Sequence, residues 1–94
     1  MMQFTPCANH QLVMTGSSVN QALTAPGAAV TGLYVYNGGT VAIALRWGTG
    51  SQTAVATDFT LAPGAYFVLN KGLADNVAAI GASGTLYISP GEGQ

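Results

Sequence analysis

Charge is what this chain has least of. Of 94 residues two are basic and three acidic, so charged side chains make up 5%, against about 25% in an ordinary soluble domain. Arg46 and Lys71 are the only cations. Two cations build no basic patch for a phosphate backbone, which excludes nucleic acid as a partner. Chemistry-bearing groups are equally scarce. One His, one Cys and three carboxylates leave little for an acid–base pair or an activated nucleophile, and the expectation is a protein that is not an enzyme. Cys7 has no second cysteine, so no internal disulfide forms and no zinc site is built. No metal and no cofactor are expected. No apolar run approaches the ~20 residues of a membrane-spanning helix. The opening Met1-Met2-Gln3-Phe4-Thr5-Pro6 lacks the basic and apolar regions of a secretory signal, so the expectation is a protein made in the cytoplasm with no membrane partner.

Helical periodicity is also missing. No run of ten or more residues places apolar side chains at i, i+3, i+4 and i+7. What replaces charge and helix is Gly, Ala, Ser and Thr on a chain that is still 49% hydrophobic, too apolar for disorder. Turn signals punctuate it about every ten residues, among them Thr15-Gly16-Ser17, Asn37-Gly38-Gly39, Gly48-Thr49-Gly50, Ala62-Pro63-Gly64, Asn70-Lys71-Gly72 and Ser83-Gly84. Short strands at that spacing predict an all-β single domain, a β-sandwich or jelly-roll-like fold of seven or eight antiparallel strands. The strands fall at 10–14, 18–24, 29–36, 41–47, 53–60, 65–70, 76–82 and 85–89. Residues 1–9 read as an N-terminal arm anchored by Phe4, and residues 10–94 as the sandwich domain.

The clearest hairpin joins 29–36 to 41–47. A two-residue loop at Gly38-Gly39 puts Tyr34 and Tyr36 beside Val41 and Ile43. A three-residue loop through Thr40 puts Leu33 and Val35 beside Val41, Ile43 and Leu45. The second is preferred because it completes an aliphatic face. It leaves Tyr34, Tyr36, Ala42, Ala44 and Arg46 on the opposite face, where they would meet a second sheet or another subunit. Segment 65–69 is apolar on both faces, as strands inside a sandwich or an oligomer are. Edges are normally guarded by Lys, other charges or Pro. This chain has few such guards, so self-association is expected.

Few side chains offer chemistry, and each has a plainer reading. His10 has no nearby partner for metal or proton transfer and reads as a surface histidine. Cys7 and His10 project to opposite sides of an extended arm. Asp58 and Asp75 read as turn residues rather than as a carboxylate pair. Gly48-Thr49-Gly50 lacks the lysine and helix of a phosphate loop. Trp47 with Tyr34 and Tyr36 is the cluster with most to offer. Such rings stack on sugars or bases, and more often fill a core or a subunit contact. Arg46 fits an interface, where Arg is enriched. The candidate protein-interface residues are therefore Phe4, Tyr34, Tyr36, Arg46 and Trp47.

Several motifs carry a resemblance: Tyr34-Val35-Tyr36-Asn37-Gly38-Gly39-Thr40-Val41, Arg46-Trp47-Gly48, Ala62-Pro63-Gly64, Val77-Ala78-Ala79-Ile80, and the closing run Ala82-Ser83-Gly84-Thr85-Leu86-Tyr87-Ile88-Ser89-Pro90-Gly91-Glu92-Gly93. Through these, Val30 to Gly93 resembles a group of small virion structural proteins of tailed bacteriophages. The resemblance covers about two thirds of the chain. It implies a virion component made in the host bacterial cytoplasm, with capsid decoration (cement) as the best-fitting role. The implied partner is the major capsid protein, and the implied assembly is a homo-oligomer on the capsid surface, a trimer by preference. It brings no catalytic residue with it. Two alternatives stand beside it: a tail, baseplate or fibre component of the same virion, and a carbohydrate-binding adhesin module using Trp47 and the tyrosines.

Overall fold

The computed structural model describes residues 5–6, 8–23 and 30–92, and among these it is built of strands alone. They are β1 (Thr5–Pro6), β2 (His10–Val13), β3 (Val19–Ala22), β4 (Gly32–Asn37), β5 (Ile43–Gly48), β6 (Phe59–Leu61), β7 (Tyr66–Asn70), β8 (Asn76–Ile80) and β9 (Thr85–Glu92). All pairings are antiparallel. One sheet, called here the tyrosine sheet, runs β2-β9-β4-β7, with the two-residue β1 beside β2 along β9. The other, the alanine sheet, runs β3-β8-β5-β6. Consecutive strands change sheet at every step from β2 to β9 except between β5 and β6. Two four-strand sheets with that alternation are the strand order of a jelly roll. The all-β sandwich expected from the turn spacing is the fold.

Period-two alternation explains the core. Leu33 and Val35 of β4, Leu86 and Ile88 of β9 and Leu12 of β2 face inward from the tyrosine sheet. Ile43 and Leu45 of β5, Leu61 of β6, and Val77 and Ala79 of β8 face them from the alanine sheet. All are buried in one cluster, each large aliphatic side chain contributing about 1.5–3 kcal/mol by leaving water.

The expected hairpin between 29–36 and 41–47 does not form. Both lateral edges of β4 are taken by β7 and β9, and both edges of β5 by β6 and β8. The aliphatic face made of Leu33, Val35, Ile43 and Leu45 exists, but its halves meet across the sandwich rather than side by side. Residues 38–42 span the gap between layers, which needs about 10 Å. Asn37 makes this crossing possible. Fully buried, it donates Nδ2 to the Val41 carbonyl at 2.8 Å and to the Leu61 carbonyl at 2.9 Å, and its Oδ1 accepts from Gly39 N–H at 2.9 Å. Its backbone N–H donates to Ala65 O at 3.0 Å, and its carbonyl accepts from Gly64 N–H at 2.9 Å. One side chain thus ties the 37–41 crossing to the 61–65 crossing. Gly84 passes against the same turn: its φ is +96°, and a Cβ there would stand 2.8 Å from Gly39 Cα, so no other residue fits.

Two further expectations need correction. Residues 53–58 are not strand; only 59–61 pair, and the segment before them lies over the alanine sheet. Of the two places expected for segment 65–69, the inside of the sandwich is the wrong one: β7 is an edge strand with most of its side chains exposed in the single chain. Within the expected arm, Thr5 and Pro6 run along Glu92 and Gly91 of β9 as strand, while Phe4 and Cys7 lie outside the described residues.

Candidate functional site

The tyrosine sheet earns its label from its outer surface. Register places Tyr87, Tyr36 and Tyr66 in one row across β9, β4 and β7, with Ser89, Tyr34 and Val68 in the next. All four tyrosines of the chain therefore share one side. Tyr36 and Tyr87 stack with ring centroids 5.8 Å apart at 30°, and Tyr34 and Tyr66 at 6.3 Å and 35°, within the range of attractive offset pairs. A shallow depression of about 400 Å³ opens between Tyr34, Tyr36, Gly38 and Tyr87. Gly38 is needed there: a Cβ would lie 2.7 Å from Tyr87 Cε2. No outward position of β2, β4, β7 or residues 85–89 is charged.

A second aromatic group runs down one edge of the sandwich. Trp47 of β5 meets Phe59 of β6 edge to face at 6.1 Å and 78°, and Phe59 meets Phe67 of β7 at 5.9 Å and 75°. Because β6 and β7 are the edge strands of the two sheets, this chain of rings bridges the layers where neither sheet has another strand to cover it. Trp47 is half-buried against the core; Phe59 and Phe67 are exposed.

The outer side of the alanine sheet is built differently. Its outward positions include Ala44, Arg46, Ala78 and Asn20, and residues 49–58 fold back across it. Gln52 N–H donates to Asn20 Oδ1 at 2.9 Å and Ala54 N–H to Ser18 Oγ at 2.8 Å. Ala56 shares a depression of about 400 Å³ with Ala42, Ala44 and Ile80, and Ala78 on this side is fully buried. Arg46 grips Asp58 at both oxygens, each at 2.8 Å, and Val55 N–H donates to the same carboxylate. The Arg46 hydrogen bond first and the Val55 N–H second hold the Asp58 carboxyl below its ordinary value of 3.8. Asp75 is lowered too, chiefly by the Gly50 N–H and then by Asn76 Nδ2. Lys71 is buried, its Nζ donating to Ala74 O at 2.9 Å and Gly72 O at 3.3 Å; burial pushes its pKa down, and Asp75 partly restores it.

The structure therefore divides the residues singled out in the sequence. Tyr34 and Tyr36 lie together on the tyrosine sheet. Arg46 lies on the outer side of the other sheet, so the single face of Tyr34, Tyr36 and Arg46 expected from the hairpin does not exist. Trp47 points into the edge of the core and forms no platform with the tyrosines. Asp58 and Asp75 serve separate loop networks, and His10 is half-buried on β2. Among the described residues no three His, Cys, Asp or Glu side chains cluster to hold a metal, and no helix is long and apolar enough to cross a membrane. Sequence reasoning missed Tyr66, Tyr87, Phe59 and Phe67. Their signal is the alternation within each strand, which becomes a shared face only once the register is known.

Fold and surfaces together define an all-β domain of jelly-roll order that displays aromatic rings on an almost uncharged exterior. No protein-family model matches the chain, and no curated protein matches it.

Proposed function

We propose that this chain is a bacteriophage virion structural protein of the capsid decoration (cement) type, acting as a homo-oligomer against the major capsid protein on the capsid surface. The observation that carries the reading is the combination of a jelly roll with exposed aromatic rings and few charges. An adhesive protein works by burying apolar area, at about 25 cal/mol per Å², and each ion in such a contact would first have to be desolvated. Much of the gross gain is lost to association entropy, but many symmetric copies on a lattice multiply a modest affinity. The resemblance of Val30–Gly93 to tailed-phage virion proteins supports the same role, and jelly rolls are common in capsid proteins, which is support by fold analogy. The test is a cryo-EM map of the particle that encodes the chain. Symmetric density across capsomer junctions is the expected result. Density confined to the tail replaces the reading with a tail, baseplate or fibre role, and absence from the particle overturns it.

The four-tyrosine surface favours one second reading, a module that stacks neutral sugar rings. Titration with neutral oligosaccharides followed by NMR tests it: shifts confined to residues around Tyr36 and Tyr87, lost in Tyr36→Ala, support it, and no shift at any residue rejects it.

A further inference from the structure

Among the described residues the open edge of β7 is the least protected. The strand reads Tyr66-Phe67-Val68-Leu69-Asn70, and of the described strands only β4 pairs with it. It contains no charge, no proline and no bulge, the devices that normally keep an edge from recruiting another strand. Its neighbour β6 is three residues long and is flanked by Asp58 and Pro63, so it is guarded where β7 is not.

Backbone alternation sets which groups are on offer. Asn37 N–H donates to Ala65 O, and Lys71 N–H to Thr31 O. These bonds fix the odd-numbered residues of the 65–71 segment as the ones bonded to β4. In an antiparallel ladder the intervening residues turn the other way. The N–H and C=O groups of Tyr66, Val68 and Asn70 therefore point out from the open edge, three donors and three acceptors in a row.

We infer that β7 pairs antiparallel with β7 of a second copy of this chain, across a twofold axis at Val68. In that register Val68 bonds to Val68 of the second copy, and Tyr66 and Asn70 exchange bonds with Asn70 and Tyr66. Each edge group finds a partner of opposite kind, as an isologous contact requires. Phe67 of each copy lies across from Leu69 of the other, so the ring left open at the edge gains apolar cover. With no charged side chain on β7, the two identical edges do not repel. Tyr66 is 66%, Phe67 49%, Phe59 41% and Val68 39% exposed, which leaves about 300 Å² of aromatic surface open per copy when a ring buries about 200 Å² in full. Doubled over both copies the patch is about 600 Å² before the strand backbone is added, below the roughly 1,200 Å² at which standard interfaces begin, so the dimer is weak and forms in a concentration-dependent way. The tyrosine sheets of both copies join into one continuous sheet with both tyrosine surfaces facing outward on the same side. The inference rests on the edge geometry and not on the virion reading, and it gives twofold order instead of the trimer that the phage resemblance implies.

Sedimentation equilibrium over a range of concentrations tests it. The expected result is a mass rising to twice 9.5 kDa. Val68→Pro removes the N–H at the axis without touching the ladder to β4, and edge positions of this kind accept proline; it is expected to be folded by circular dichroism and monomeric. A native protein that stays monomeric or forms a trimer overturns the inference, and so does a folded Val68→Pro protein that remains a dimer. Should that variant not fold, hydrogen exchange on the native protein decides. The amides of Tyr66, Val68 and Asn70 are expected to exchange at least about tenfold more slowly in the dimer, and unchanged rates at all three overturn the pairing.

Discussion

The two outer surfaces of this sandwich obey the same alternation and finish in opposite ways. On the tyrosine sheet the outward positions hold rings, and no described segment crosses the row of Tyr87, Tyr36 and Tyr66. On the alanine sheet the outward positions hold Ala44 and Ala78, and the chain covers them itself with residues 49–58. The difference has a simple physical basis. A loop can lie on a sheet only where side chains are short enough to let its backbone reach partners, here the Asn20 and Ser18 oxygens. Rings would hold it off. Among the described residues the tyrosines are therefore left without a covering segment.

The comparison breaks most severely at the residue that joins the layers. Asn37→Ala removes two donated bonds, to the Val41 and Leu61 carbonyls, and one accepted bond from a fully buried site. The expected loss is about 3 kcal/mol or more of unfolding free energy in urea. Next in size is a paired test of the two surfaces. Ala78→Leu must push residues 49–58 outward and is expected to cost about 2 kcal/mol. Ser89→Leu, on the tyrosine face in the row of Tyr34 and Val68, enlarges an outward side chain with nothing folded over it; it gives up an exposed bond to Asn9 and is expected to cost no more than about 1 kcal/mol. Equal losses would erase the distinction between a self-covered and an open surface.

Smaller effects sharpen it. Trp47 is half-buried beside Phe59, so its fluorescence is expected to be blue-shifted in the native protein and to move red on unfolding, with Phe59→Ala giving an intermediate position. On the alanine side acid acts through Asp58 and Asp75. Both carboxyls are lowered in the folded state, so their contribution is present above 3.8 and is lost as pH falls through their folded values. Stability is expected to drop below that point, less steeply in Asp58→Asn, with salt weakening the Arg46–Asp58 share because the pair lies at the surface.

Much of this architecture is legible in the residues. Turn spacing predicts the sandwich, and alternation assigns Leu33, Val35, Ile43 and Leu45 to one buried face. What alternation leaves open is whether two such strands lie side by side or face each other. Asn37-Gly38-Gly39 serves a hairpin or a crossing equally well, and only the burial of Asn37 between two crossings decides. Arg46 was assigned to the tyrosine surface by that same pairing and moved to the other layer with it. Segment 65–69 shows the second gap. An apolar strand reads as interior whether its cover comes from its own chain or from a partner, so the residues do not say which, and within the single chain β7 lies exposed. The tyrosine row escapes local reading for a further reason: Tyr36, Tyr66 and Tyr87 are far apart in the chain, and their meeting is a property of register.

The poverty of cations has a consequence for proteolysis. Trypsin cuts only after Arg or Lys, and this chain offers it Arg46 and Lys71 alone. Arg46 and Trp47 sit in β5, paired with Ala78 and Val77 of β8, and the Lys71 side chain is buried and tethered to the carbonyls of Ala74 and Gly72. Neither bond can enter a protease cleft without the sheet or the 71–75 turn opening first. Digestion of the native protein is therefore paced by opening of the fold rather than by the enzyme.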